Sequence, residues 1–263
     1  REELELVLDV VGREHGAARQ APDVAGAVAQ LLEAHTGLAL PTRLLDVLVT
    51  MIGHTPGPLE LAGLEVRAVD FPNDTERPVT LVANHVSWAD IFALNSERAC
   101  HFIAKAELRR WPLAGRMLAN VGTVFINRND RRDTHRLKDV VHRLLAEGET
   151  VAVFPEGTTS LGRDVLKFHP SLLEPIVASE GEVWVVAIRY YRRPRGAGMA
   201  AEQRSDAAAY IDRMSLLDSL RAIHADGPMV AEIRFIEAIH CAGLSRREVA
   251  ERARARIREV GQS

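Results

Sequence analysis

From about residue 64 onward, short apolar runs typical of β-strands alternate with segments of helical periodicity. The strand candidates are LEVRAVDF, VTLVANH, CHFIAK, TVFIN, ETVAVFP, VWVVAIRY and AEIRFIEAI. The helix candidates lie at about 90–96, 107–119, 131–147, 170–179, 215–223 and 245–260. Because strands and helices that alternate along a chain build layered domains, the sequence predicts an α/β fold with a mixed β-sheet flanked by helices.

The N-terminal part of the chain carries helical patterns only, and Pro56, Gly57 and Pro58 interrupt the chain after it. We therefore predict a small helical appendage over residues 1–56 and a main domain over residues 57–263. The most apolar stretch, LLDVLVTMIG, has about half of the ~20 residues that a membrane-spanning helix needs. We accordingly expect no segment of this sequence to cross a bilayer.

Composition restricts the possible partners and cofactors. The net charge of the 263 residues is -3, which gives the chain no overall attraction to nucleic acid. The two cysteines, Cys100 and Cys241, stand in no C-x-x-C pair and have no neighbouring histidine at ligand spacing. The sequence therefore predicts no disulfide framework and no zinc site, a reducing compartment such as the cytoplasm, and no metal or redox cofactor.

The segment NHVSWAD, residues 84–90, places a histidine at the end of an apolar strand and an aspartate at the start of a helix. One interpretation is structural: Ser87 and Asp90 form a capping box, and His85 is an ordinary histidine at a strand end. The other is catalytic: the Asp90 carboxylate accepts the Nδ1 proton of His85, which leaves Nε2 as a general base. The segment alone does not decide between them.

A second segment, VAVFPEGTTSLG, follows a buried strand with Glu156, Gly157 and three hydroxyl residues. Glycine allows the backbone to approach a ligand closely, and hydroxyl and free N–H groups can hold phosphate or ester oxygens. Thr158 and Thr159 are therefore candidates for substrate binding beside Glu156 and Gly157. A hydroxyl-rich turn with no function is the alternative, and no G-x-S-x-G nucleophile elbow is present.

Two cations, Lys105 and Arg128, also follow predicted strands, as His85 does. Charged side chains gathered at strand ends could bind an anionic substrate. A solvated helix face is the alternative; it explains the basic residues that follow Arg128 well, and Lys105 and Arg128 less well.

Four sequence blocks, in their order along the chain, resemble those of the lysophospholipid acyltransferase superfamily. The resemblance is in particular to 1-acyl-glycerol-3-phosphate O-acyltransferases and lyso-ornithine lipid acyltransferases. The blocks are N-H-x-x-x-x-D at residues 84–90, FIAKAELRRWPLAG, GTVFINR at residues 122–128 and FPEGTTS at residues 154–160. The resemblance extends over about residues 60 to 260. It implies a glycerolipid acyltransferase fold and a role in phospholipid biosynthesis.

The resemblance also implies a mechanism and its residues. His85 would remove the proton of an acceptor hydroxyl as that hydroxyl attacks the thioester of acyl-CoA or an acyl carrier protein, with no acyl-enzyme. Asp90 would hold the imidazole, Glu156 would position its turn, and nearby backbone N–H groups would stabilise the oxyanion. Lys105, Arg128, Gly157, Thr158 and Thr159 would contribute to substrate binding.

This sequence departs from the family pattern at Thr159, where many members carry an arginine that binds phosphate. The acceptor is therefore 1-acyl-glycerol-3-phosphate, lyso-ornithine lipid or another hydroxyl compound. Hydrolysis of acyl thioesters and a catalytically silent lipid-binding role are the other functions weighed. We expect a cytoplasmic protein that docks on the inner face of the membrane, through the segment LRRWPLAGRML among others.

Overall fold

The computed structural model describes residues 59, 63–72, 78–110, 115, 118–119, 122–127, 131–194, 201–211 and 214–261. One sheet of eight strands forms its centre, in the order β1-β8-β6-β2-β5-β3-β4, with β7 paired to β6. Pairing is parallel except between β6 and its neighbours β7 and β8. The predicted mixed α/β architecture is confirmed. The predicted N-terminal appendage, residues 1–56, lies outside the described residues.

The strands occupy the predicted apolar runs, apart from one short strand that the sequence does not predict, β7. Their bounds are β1 Leu64–Val69, β2 Thr80–Ala83, β3 Cys100–Lys105, β4 Val124–Ile126, β5 Thr150–Val153, β6 Glu182–Arg192, β7 Gln203–Arg204 and β8 Met229–His240. The α-helices are α1 Ala89–Glu97, α2 Arg131–Ala146, α3 Glu174–Val177, α4 Leu216–Asp226 and α5 Arg246–Gly261.

Two hydrophobic cores, one on each face of the sheet, hold the layers together. Alternate residues of a strand point to opposite faces, so Leu81 packs with α1 and α4, whereas the adjacent Val82 packs with α2, α3 and α5. We call these the α1 face and the α5 face. Strands β2 and β5 are buried throughout their length, as expected for parallel strands covered on both sides.

This topology brings the predicted motifs to one edge of the sheet. Strands β2, β5 and β3 are parallel neighbours, so their carboxyl ends lie side by side. His85 follows β2, Glu156 follows β5, and Lys105 is the last residue of β3. Parallel α/β sheets bind their ligands at this edge.

Two predicted helices differ from the structure. The helix predicted over residues 107–119 starts instead with a 3₁₀ helix at Ala106–Arg110, while residues 115, 118 and 119 are helical as predicted. Residues 170–179 form a 3₁₀ turn at Pro170–Leu172 and then the one-turn α3, because the backbone of Pro175 has no N–H to donate.

Candidate active site

The centre of the site is a hydrogen-bonded pair between His85 and Asp90. His85 Nδ1 and Asp90 Oδ2 are 2.8 Å apart. The Asp90 side chain is completely buried, while the His85 side chain retains 17% of its exposure. The strand, the tight turn and the start of α1 fold the aspartate back onto the histidine, as the segment predicts.

Asp90 also organises the turn between β2 and α1. Its Oδ2 accepts hydrogen bonds from the backbone N–H of Val86 at 2.7 Å and of Ser87 at 3.0 Å. The Ser87 hydroxyl accepts from Ala89 N–H at 3.3 Å. The predicted capping box is wrong in part: the N-cap of α1 is Trp88, and the Asp90 N–H donates to the Ser87 carbonyl rather than to the Ser87 hydroxyl. The Asp90 half of the box is formed, so one carboxylate both holds the turn and pairs with His85.

Tyr190 supplies the second oxygen of Asp90 with a partner. The phenol donates to Asp90 Oδ1 at 2.6 Å from the α1 face of β6. Burial and the neighbouring Asp90 charge raise the pKa of Tyr190 well above its usual value, so the phenol keeps its proton. No sequence motif predicts a role for Tyr190. The sequence could have indicated it, because Tyr190 lies at an inward-facing position of a buried strand, where a tyrosine hydroxyl needs a hydrogen-bond partner.

Asn84 fixes the backbone immediately before the histidine. Its amide donates to the carbonyl of Ile188 at 3.0 Å, and the Ile188 N–H donates back to Asn84 Oδ1 at 2.8 Å. The side chain thus replaces a backbone pairing between β2 and β6 just past the end of β2. The start of the turn is anchored to the sheet as a result.

The segment after β5 packs directly against His85. The Phe154 ring stacks on the imidazole with centroids 4.0 Å apart and planes 8° from parallel. Glu156 accepts from the His85 N–H at 2.8 Å through Oε1 and from the Leu166 N–H at 2.9 Å through Oε2. Burial raises the pKa of the Glu156 carboxyl, and these two N–H groups act in the opposite direction.

The loop that contains Gly157, Thr158 and Thr159 closes over the strand end. Gly157 has φ +69°, where a glycine is favoured, and its N–H donates to the Phe154 carbonyl at 3.1 Å. The Ser160 N–H donates to the His85 carbonyl at 2.9 Å. Among the residues that the structure describes, none accepts from the backbone N–H of Thr158 or Thr159. The backbone N–H groups of the two threonines are therefore unpaired within the described residues.

The predicted substrate-binding side chains occupy different positions relative to this centre. Thr159 is half-buried and its hydroxyl donates to the Tyr210 carbonyl, whereas Thr158 is exposed. Lys105 is exposed at the carboxyl end of β3, and no contact in the described part of the chain joins it to His85 or Glu156. Arg128 lies outside the described residues, so its role stays a prediction.

The geometry fits proton transfer at the second imidazole nitrogen. An Nδ1–H that donates to Asp90 leaves the lone pair on Nε2, and no described residue hydrogen-bonds to Nε2. Within the described chain, no group of three or more His, Cys, Asp or Glu side chains could hold a metal ion.

Comparison with known proteins shows the family of this chain. The acyltransferase family profile matches residues 63–191, which include His85, Asp90 and the loop after β5. The chain is 34% identical over 208 residues to the lyso-ornithine lipid O-acyltransferase of Rhizobium meliloti, covering 76% of this chain and 70% of that protein. It is 44% identical over 131 residues to the 1-acyl-sn-glycerol-3-phosphate acyltransferase of Neisseria gonorrhoeae, covering 49% of this chain and 50% of that protein.

A solved structure shares the fold. The 1-acyl-sn-glycerophosphate acyltransferase PlsC of Thermotoga maritima aligns with a TM-score of 0.55 and 20% identity, over 98% of this chain and 93% of that one. This likeness shows the fold alone. This chain belongs to the acyltransferase family. The matched region spans about half the length of the Neisseria relative.

Proposed function

We propose that this protein is an O-acyltransferase that moves a fatty acyl group from a thioester, acyl-CoA or acyl carrier protein, to the hydroxyl of a lyso-lipid. The observation that carries the proposal is the His85–Asp90 pair, held by buried hydrogen bonds, with Nε2 left open. The named activities of the Rhizobium and Neisseria relatives support the substrate class.

In the proposed reaction, His85 Nε2 removes the proton from the acceptor hydroxyl as the hydroxyl oxygen attacks the thioester carbonyl carbon. Asp90 stabilises the imidazolium and fixes the ring. The tetrahedral intermediate then expels the thiolate as the carbon–sulfur bond breaks, and the imidazolium returns the proton to sulfur. An ester and a free thiol result.

The described side chains favour direct transfer over an acyl-enzyme. Cys100 and Cys241 are buried, and burial raises the pKa of both thiols, that of Cys241 to about 11. A thiol in that state is a poor nucleophile. No serine or threonine hydroxyl in the described residues bonds to His85, so no serine–histidine dyad is formed there.

The free N–H groups of Thr158 and Thr159 support a place for the developing oxyanion. They lie in a loop whose preceding carboxylate, Glu156, is bonded to the backbone of His85 itself. Donors fixed in position before the reaction stabilise developing charge more effectively than donors that must reorient. Glu156 therefore acts as the positioning residue between base and oxyanion site.

The acceptor is an anionic or zwitterionic lyso-lipid, either 1-acyl-glycerol-3-phosphate or lyso-ornithine lipid. Lys105 and Arg128 are proposed to bind its charged head group. Thr159 supplies no positive charge, and its hydroxyl is engaged by the Tyr210 carbonyl. This difference favours acceptors that do not require a third cation at the position of Thr159.

The acceptor's lipid nature calls for contact with a membrane, and we propose peripheral docking on its cytoplasmic face. No helix in the described part of the chain is long and apolar enough to span a bilayer. Leu161 and Leu166, with 37% and 42% exposure, flank the exposed Arg163 in the loop beyond the site. Apolar side chains beside cations suit an interfacial position. Of the segment LRRWPLAGRML, Arg109 packs over Phe125, while Trp111 and Arg116 lie outside the described residues.

A mass-spectrometric assay tests the proposed function. Purified protein is incubated with acyl-CoA or acylated carrier protein, alone and with a panel of lyso-lipids. We expect a diacyl product only when a lyso-lipid is present. If free fatty acid forms at the same rate without any acceptor, the protein is a thioester hydrolase. If no thioester is turned over, a lipid-binding role is the remaining function.

A further inference from the structure

A second feature of the carboxyl edge is a cavity of about 200 Å³ on the α5 face of the sheet. Strand β6 contributes Arg189, β7 contributes Arg204, and the C-terminal end of α5 contributes Arg258. Asn84, the residue before the proposed base, forms part of its wall. The proposed reaction described above assigns nothing to this cavity.

Arg189 has an unsatisfied hydrogen-bond donor at this cavity. Its Nη2 is buried and has no hydrogen-bond partner in the described chain. Its Nη1 makes only a long contact, 3.4 Å, to the Tyr191 hydroxyl. A buried charged donor without a partner is costly, so its persistence in a fold calls for an acceptor from outside the chain.

The charges around the cavity do not cancel. Arg163 is paired with Asp206 at 3.0 Å, and Arg258 is paired with Asp164 at 2.7 Å. Arg189 and Arg204 form no ion pair with a carboxylate anywhere in the described residues. Burial lowers the pKa of the Arg204 guanidinium and the positive charge of Arg189 lowers it further, while Tyr191 and Asp206 act in the opposite direction. The cavity therefore has an excess of positive charge.

We propose that this cavity binds a phosphate group of one of the two substrates through Arg189 and Arg204. Guanidinium groups match the oxygen geometry of phosphate, and two of them supply the missing counter-charge. The cavity is smaller than the roughly 300–1,000 Å³ typical of pockets for whole ligands, so it suits one head group rather than a lipid. The proposal rests on the proposed function for its choice of ligand.

Both substrates can carry such a group, at different distances from the reacting atoms. A lysophosphatidate carries its phosphate next to the carbon that bears the free hydroxyl. A coenzyme A or phosphopantetheine thioester carries phosphate at the far end of a long arm. Arg189 and Tyr190 are adjacent on β6, so their side chains lie on opposite faces, and the cavity is across the sheet from Asp90.

Direct binding of inorganic phosphate, measured by broadening of its ³¹P resonance, tests the site without any activity assay. We expect wild type to bind, and Arg189→Met and Arg204→Met each to weaken binding about ten- to a hundredfold, as for loss of a charge-assisted hydrogen bond. Arg247→Met, at an exposed position of α5 outside the cavity, is the matched control for net charge and should bind as wild type. Phosphate binding that is unchanged in both cavity variants would overturn the proposal.

Steady-state kinetics with each substrate varied in turn identifies the source of the phosphate. If both variants raise the KM for the thioester alone, the cavity binds a phosphate of the acyl donor. If both raise the KM for the lyso-lipid alone, it binds the phosphate of the acceptor. Unaltered KM values for both substrates would show that the cavity binds neither. If wild type transfers no acyl group at all, the proposed function fails, while the phosphate titration still decides whether the cavity is an anion site.

Discussion

The hydroxyl of Tyr190 donates to Asp90 Oδ1 at 2.6 Å, although the two residues are 100 positions apart in the chain. Asp90 in turn holds His85 through its other oxygen. The phenol therefore fixes the carboxylate that orients the proposed base. It acts through Asp90 and has no direct contact with the imidazole.

Tyr190→Phe should destabilise the protein and slow the reaction moderately. The change leaves a buried carboxylate oxygen without its donor, which costs about 1.5–3 kcal/mol of the free energy of unfolding. Urea denaturation measures the loss. Tyr191→Phe is the matched control, because its hydroxyl makes only a 3.4 Å contact, and it should change stability by less than about 0.5 kcal/mol. Equal stability of the two variants would contradict the role given to Tyr190.

Glu156→Gln should change how stability depends on pH. Burial raises the pKa of the Glu156 carboxyl above its ordinary 4.5, so the folded state binds more protons than the unfolded state. The contribution of Glu156 to the free energy of unfolding therefore falls as the pH rises from about 4.5 through the raised pKa, and is constant above it. The uncharged amide of the variant does not titrate and contributes no such change.

The measurement is a pair of urea denaturation series, wild type and Glu156→Gln, from about pH 4 to about pH 8. The stability of the wild type relative to the variant should decrease across the lower part of this range. A relative stability that rises with pH there would show that the two N–H donors of Glu156 outweigh its burial.

The fold was predictable where local pattern and tertiary environment agree. Strands such as β2 and β5 are short apolar runs bounded by turn residues, and burial on both faces requires that composition. The prediction of one helix at 170–179 is wrong because apolar periodicity takes no account of Pro175, which is visible in the sequence. The helix predicted at 107–119 is wrong only in its first turn, which is a 3₁₀ helix.

The site was predictable only in its local part. His85 and Asp90 belong to one strand–turn–helix unit, so their spacing alone indicates the pair. Tyr190 reaches the site, and Arg189 the cavity on the other face of the sheet, because β6 is the parallel neighbour of β2. The order of strands is not encoded in any short segment. The cavity additionally needs β7 and the end of α5, which only the assembled fold brings together.

Thr159→Arg should shift the acceptor preference toward phosphate-bearing lyso-lipids. The new guanidinium supplies a charge-assisted hydrogen bond to phosphate, worth about tenfold or more in kcat/KM for that acceptor. The change also removes the hydrogen bond from the Thr159 hydroxyl to the Tyr210 carbonyl. Thr159→Val is the matched control, because it removes the same hydrogen bond without adding a charge. An equal change of preference in Thr159→Arg and Thr159→Val would contradict the prediction.

Arg128→Ala should raise the KM for an anionic acceptor by about ten- to a hundredfold, with little effect on the KM for acyl-CoA. The expected cause is loss of a charge-assisted hydrogen bond to the head group. Steady-state kinetics with the acceptor and the donor varied in turn provides the measurement. A wild-type KM for the acceptor in this variant would show that Arg128 does not bind the head group.

The central claim is that His85, oriented by Asp90, is the base of the transfer. His85→Ala removes the base. Asp90→Asn keeps an oxygen that can accept from the Val86 and Ser87 N–H groups, and its amide N–H can donate to the Tyr190 hydroxyl. Both variants should therefore fold. In a serine-protease triad the loss of the orienting carboxylate lowers turnover about 10⁴-fold. The matched control is His142→Ala, an exposed histidine of α2.

The most direct measurement is the rate of diacyl product formation by these three variants at saturating thioester and lyso-lipid, each shown to be folded by circular dichroism. We predict no detectable transfer by His85→Ala, a loss of at least about a hundredfold in Asp90→Asn, and the wild-type rate in His142→Ala. A folded His85→Ala protein that keeps near-native turnover would contradict the account.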